Sequence, residues 1–238
     1  MLITSDKRQV LWRQNGGFCE IKPTAGQGPK SKKPKLVKEL VCQAADYATL
    51  HLSARPFQLF SVGLLIFGSE FCVAIFDRAG VLFSPINDMW KDIGIFIRVI
   101  RSLTCHLSSV ELGRDPTVTI LPDPQREIWR NQTGELGCEV PKDFPTFGVV
   151  LMGGRCWYTV GLPIWTSVSL LGRGTCVWWV QENATGPLLV LKKYMETCFP
   201  NVRIHDLWIS RWSPSCAGQI TFGRRRSLSG RATTYHVP

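Results

Sequence analysis

From Phe57 to Phe76 the chain carries an apolar run of about twenty residues that holds a single charge, Glu70. A run of that length either crosses a bilayer or is buried inside a fold. Gly68-Ser69-Glu70 interrupts it in the middle, and each half is rich in β-branched and aromatic residues. Those are the marks of two buried strands joined by a tight turn rather than of a membrane helix. Asp77-Arg78-Ala79-Gly80 then turns the chain into a short third strand, Val81-Leu82-Phe83.

Helical patterns flank these strands. Leu36, Val37, Leu40, Val41, Ala44, Ala45, Ala48 and Leu52 recur at three- and four-residue steps, until Arg55-Pro56 stops the pattern. Downstream, Asn87 or Asp88 can cap a second helix. Its apolar positions Met89, Trp90, Ile93, Ile97, Ile100, Leu103 and Leu107 would cover one face of the strands. Helix, three strands and helix predict a compact α+β unit over residues 36–122. Glu70 and Asp77 at strand ends invite comparison with nuclease cores, but such sites cluster carboxylates around a metal with a lysine nearby. No Glu-x-Lys follows here, and turn and surface acids account for both residues.

The net charge of +10 is unevenly spread. Lys30, Lys32, Lys33, Lys35 and Lys38 crowd one segment, and Arg224, Arg225, Arg226 and Arg231 another. Such clusters attract nucleic acid, acidic partners or import receptors, or simply solvate a tail. Residues 1–35 show no sustained period and read as a basic arm without regular structure. The nine cysteines include no Cys-x-x-Cys pair, which argues against a zinc site or a disulfide framework. With no signal-peptide core at the start, an intracellular setting, cytoplasm or nucleus, is expected.

Residues 123–145 read as a linker. Beyond them Phe147–Met152, Cys156–Val160 and Ile164–Leu171 read as strands, with Gly153-Gly154-Arg155 as a hairpin turn. They lead into Leu171-Gly172-Arg173-Gly174, an apolar run through Val180, a turn at Asn183–Pro187, and Leu189-Val190-Leu191-Lys192. Glycines let backbone N–H groups approach a phosphate closely, and a nearby lysine neutralises its charge. A hairpin with a glycine turn and a surface lysine has the same pattern. A P-loop is excluded, because Gly-x-x-x-x-Gly-Lys-Ser/Thr is absent.

At these residues the chain resembles the fungal-type protein kinases of basidiomycetes. The resemblance also covers Ala45–Ala48, Arg55–Ile66, Phe71–Arg78, Phe96–Thr104 and Ile164–Ser167, within residues 36–193. It implies a region N-terminal to a kinase domain, then a partial antiparallel β small lobe over 146–195. The implied activity is ATP-dependent protein phosphorylation. Gly172 and Gly174 would cover the phosphates, Val177 would pack on adenine, and Lys192 would pair with the α- and β-phosphates.

Departures from the family pattern are equally visible. The third loop glycine is missing, and Val177 follows Gly174 early. His-Arg-Asp, Asp-Phe-Gly and Ala-Pro-Glu are absent, and Asp206 is the sole acidic residue after Glu196. No catalytic residue and no magnesium site is therefore expected, with ATP the one implied ligand. Residues 196–238, rich in arginine and free of any period, read as a disordered tail and suggest a gene model that has left its reading frame or read into an intron. The leading expectation is a truncated family member, inactive alone, with an unidentified protein partner and no membrane contact. The alternative is a non-enzymatic module that binds protein or nucleic acid through the α+β unit and its basic arms.

Overall fold

The computed structural model describes residues 13, 15–29, 34–132, 140–142, 144–151, 153–172, 174–195 and 208–211. The expectations for Lys30–Lys33, Glu196, Asp206 and Arg224–Arg231 lie outside them. The architecture is α+β, with two sheets and few helices. The described residues form two compact units, one taking in those up to 116 with 167–174 and 195, the other those of 117–166 with 175–194 and 208–211.

In the first unit the apolar run forms β2 (Ser61–Phe67) and β3 (Glu70–Phe76), after β1 (Phe18–Lys22) and α1 (Pro34–Ala54). β2 and β3 pair antiparallel along their whole length, from Ser61↔Phe76 to Phe67↔Glu70. β4 (Val81–Phe83) and β5 (Asn87–Asp88) both add to β3. No helix among the described residues is long and apolar enough to cross a membrane. Leu40, Ala44 and Ala48 of α1 are fully buried with Leu65, Phe67, Cys72, Ala74 and Phe76. The two alanines let the helix backbone lie close to the sheet.

Two features of this unit differ from expectation. Residues 18–22, read as part of a basic arm, form an edge strand parallel to β2. Phe18 packs over Gly63, meets Tyr47 edge-on at 5.7 Å and lies 5.8 Å from Phe76. Its strand is held by partners distant in sequence, which no local period can reveal. The second helix, α2 (Ile93–Arg101), runs into a π-helical turn at Ser102–His106, and none of its residues is buried. Phe96 reaches the sheet, edge-on to Phe71 at 5.0 Å, while Trp90 is 75% exposed and Ile97 51%. Asp88 accepts the N–H groups of Trp90 and Lys91, so it caps a turn before the helix and not the helix itself.

His51, on α1, is fully buried. Its Nε2 lies 2.7 Å from the carbonyl of Asn15 and its Nδ1 2.8 Å from Ser61 Oγ. A neutral ring protonated at Nε2 donates to Asn15 and accepts from Ser61, which satisfies both contacts. Arg55 also donates to Asn15, at 2.6 Å, and places a positive charge beside the ring. Burial lowers the imidazole pKa from 6.5 to about 4; the Asn15 bond opposes it in part, and the Arg55 charge adds a smaller push downward.

The second unit is a meander in which each strand pairs with the next. β6 (Val118–Ile120), β7 (Phe147–Val150), β8 (Cys156–Thr166), β9 (Gly174–Gln181), β10 (Leu189–Met195) and β11 (Trp208–Arg211) follow in sheet order. The expected strand over Ile164–Leu171 ends at Thr166, and β8 is continuous through a bulge between Val160 and Trp165.

Residues 123–132, read as linker, form helix α3 (Asp123–Gln132). Proline in the first turn loses no hydrogen bond, so Asp123-Pro124 can start a helix as readily as a loop. Asp123 also pairs with Arg126 at 2.7 Å. The helix is held by Trp129, 6% exposed and stacked on Tyr158 at 4.6 Å, with Leu121 and Val160 around it.

Two outcomes are expected. A histidine with a lowered folded pKa binds protons more readily in the unfolded chain, so stability is lost as pH falls from 6.5 toward 4. Urea titrations of the wild-type protein and His51→Gln across that window should diverge by about 2–3 kcal/mol in slope-corrected stability. Parallel curves would mean that His51 is not held neutral. Trp129→Ala should cost the second unit about 3 kcal/mol, read by denaturant melts of tryptophan fluorescence and circular dichroism. A loss within experimental error would show that α3 does not depend on that contact.

Candidate functional site

Strand alternation decides which side chains β9 and β10 can offer together. Along β9, Cys176, Trp178 and Val180 are buried, while Thr175, Val177 and Trp179 are half-buried on the other face. Cys176 accepts a hydrogen bond from Trp178 Nε1 at 3.0 Å. Burial pushes its thiol pKa up, and the bonds from Thr166 and Trp178 and the Lys193 ammonium draw it partway back. Lys193, 4% exposed, therefore belongs with Cys176 on the buried face. Its neighbour Lys192 points the opposite way, to the face that carries Val177.

That second face is the open one. Trp165 on β8 sits directly opposite Val177 in register and is 62% exposed. Lys192 Nζ lies 5.1 Å from the centre of the Tyr194 ring, on the same strand two residues on. Aromatic surface, a branched aliphatic side chain and a cation thus share one face of three neighbouring strands. Such a face suits a flat, anionic ligand: rings and Val177 offer apolar contact, and the ammonium offers charge. Among the described residues, no thiol, imidazole or carboxylate is seen beside Trp165, Val177, Lys192 and Tyr194 on this face. The thiols nearest in kind, Cys176 and Cys72, are buried and shifted away from reactivity, Cys72 to about 11. Trp165 was not singled out from the sequence, because the bulge that sets its register leaves no mark there.

The loop glycines fall with the first unit, and Val177 and Lys192 with the second. Gly172 has φ +88°, and a Cβ built on it would meet nothing within 4 Å. It is needed for its left-handed backbone and not for crowding. Glu70 and Asp77, weighed as metal ligands, stand at opposite ends of β3, and Asp77 Oδ1 is used in accepting the N–H groups of Ala79 and Gly80. Among the described residues no three His, Cys, Asp or Glu side chains gather as a metal site would require.

A family model described as fungal protein kinase matches residues 8–196. No curated protein and no solved structure matches the chain. The matched span takes in the α1–β2–β3 core, the glycine loop and the strands that carry Val177 and Lys192. The chain belongs to the fungal protein kinase family.

Proposed function

We propose that this chain is a nucleotide-binding member of its family that binds ATP without transferring phosphate by itself. Gly172 and Gly174 cover the phosphates, Val177 packs on the adenine, and Lys192 pairs with the α- and β-phosphates. The observation that supports this reading best is the shared face of Val177 and Lys192. Of two adjacent lysines on β10, the one that matches the family's pattern is the one on the open side, while Lys193 is buried. Had the parity been reversed, the pattern would have pointed a buried lysine at the core.

The chemistry that would follow binding has no visible carrier. A protein kinase needs an aspartate to take the hydroxyl proton, and acidic or amide ligands to hold magnesium. His-Arg-Asp and Asp-Phe-Gly do not occur in the sequence. A positioned base alone is worth about 10²–10⁴ in rate. Binding without turnover is the function that these residues support.

Titration with a fluorescent ATP analogue tests the reading. The wild-type protein should bind, and Lys192→Ala should weaken binding about tenfold to a hundredfold, the worth of one charge-assisted contact to phosphate. Lys192 is half-buried, so its removal should leave the thermal unfolding midpoint nearly unchanged. Wild-type protein that ignores nucleotide but binds RNA or DNA in a salt-sensitive manner would favour the non-enzymatic binding module.

A further inference from the structure

Within the first unit the glycine loop is gripped by Arg78. Arg78 lies in the turn between β3 and β4 and is 3% exposed. The turn is braced: Asp77 Oδ1 accepts the N–H groups of Ala79 at 2.8 Å and Gly80 at 3.0 Å, and Asp77 N–H donates to the Gly80 carbonyl at 3.0 Å. From this support Arg78 meets the loop at three places. Its guanidinium donates to the Ser169 carbonyl. Its own carbonyl accepts the Gly172 N–H at 3.1 Å. Its guanidinium also lies against Gly174, where a Cβ would come within 2.6 Å of Nε and 2.7 Å of Cζ. Independently of Arg78, Leu170 packs against the core of α1, β2 and β3.

The two glycines are thus explained by different causes. Gly172 has open space and a left-handed backbone; Gly174 has ordinary backbone and no room. A side chain at 174 would have to displace the guanidinium, the far end of a long side chain that is held in place here by burial and by its bond to the Ser169 carbonyl. The residue between β3 and β4 and the glycine about a hundred positions later in the chain are one steric unit.

We propose that Arg78 is a positioning residue for the glycine loop, so that the N-terminal unit sets the loop's shape. If the loop covers phosphate, as the proposed function has it, Arg78 also conditions nucleotide affinity; that second half rests on the ATP reading, whereas the first does not. The backbone bond to Gly172 takes up that N–H, so the grip of Arg78 decides which loop amides are left for a phosphate. Loop shape and nucleotide binding should therefore move together when Arg78 is changed.

Hydrogen exchange and nucleotide titration, on the full chain, separate the possibilities. In Arg78→Ala the amides of residues 168–172 should exchange about tenfold faster, while those of β2 and β3 keep their protection. Gly174→Ala should loosen the same amides from the other side of the contact. In the double variant the two effects should not add, since the clash requires the guanidinium. Unchanged exchange in both single variants, or strictly additive effects, would overturn the positioning role. Should Arg78→Ala lose β2–β3 protection as well, Gly174→Ala alone decides it: faster exchange at 168–172 with β2 and β3 still protected supports the positioning role, and unchanged exchange overturns it. With exchange altered and the wild-type protein binding the ATP analogue, Arg78→Ala should weaken affinity about tenfold. An unchanged affinity would overturn the nucleotide half, and a wild-type protein that binds no nucleotide would overturn the ATP reading while leaving the loop result standing.

Discussion

The first unit depends on the seven-residue antiparallel pairing of β2 with β3. Every other strand of that sheet attaches to one of these two: β1 to β2, and β4 and β5 to β3. Both strands are buried nearly along their length, so apolar side chains line both faces, and α1 takes the face that carries Leu65, Phe67, Cys72, Ala74 and Phe76. Burying a Phe or Leu side chain is worth about 1.5–3 kcal/mol each, so this cluster is where the unit's stability is concentrated. The opposite face is covered less completely, with Phe96 resting on Phe71. The braced turn that carries Arg78 is the direct continuation of β3. Whatever fixes β3 against β2 therefore also fixes the position of Arg78.

The second unit uses alternation differently. Its sheet separates a buried face, with Trp178, Cys176, Val180 and Lys193, from a face covered at one end and open at the other. Trp129, Leu121 and Val160 close the first part of that face, and Trp179 and Leu188 pack at its margin. Past the β8 bulge the cover ends, and Trp165, Val177 and Lys192 are left accessible to differing degrees. The bulge matters here because an extra length of β8 is absorbed between Val160 and Trp165, which brings Trp165 rather than a neighbour opposite Val177. A strand of regular register would have presented a different side chain beside the candidate valine.

What could be read from the sequence was what rests on neighbouring residues. The β2–β3 hairpin was visible because the apolar run and its Gly68-Ser69 break are local, and α1 because Leu40, Ala44, Ala48 and Leu52 keep a helical step. β1 was not visible, since Phe18 finds its partners Gly63, Tyr47 and Phe76 only in three dimensions. α3 was hidden by composition: Ile128 and Trp129 are its only large apolar residues, and just one of them is buried. The helical period of α2 was real, but period cannot say how much of a helix is covered, and Trp90, Ile93 and Ile97 stay exposed. At the candidate site the family pattern names Val177 and Lys192, but the face each of them takes is a matter of strand alternation, which the motif does not carry. The choice between Lys192 and Lys193 needed the buried Cys176 as a reference.

Gly172 and Gly174 show why a glycine pair is weak evidence for phosphate when taken alone. Gly172 is required by its backbone angle and Gly174 by the guanidinium of Arg78, and neither requirement mentions a ligand. A plain structural turn clamped by an arginine would select the same two residues. The argument for nucleotide therefore rests on Lys192 and Val177 and not on the loop that first draws the eye. The loop contributes something else: it ties a family motif to a residue about a hundred positions earlier in the chain, within the same compact unit. The family match likewise runs without a break from residue 8 to residue 196. A boundary drawn between an N-terminal module and a kinase lobe would cut through the Arg78–Gly174 contact, and the loop would then lose the support that gives it its shape.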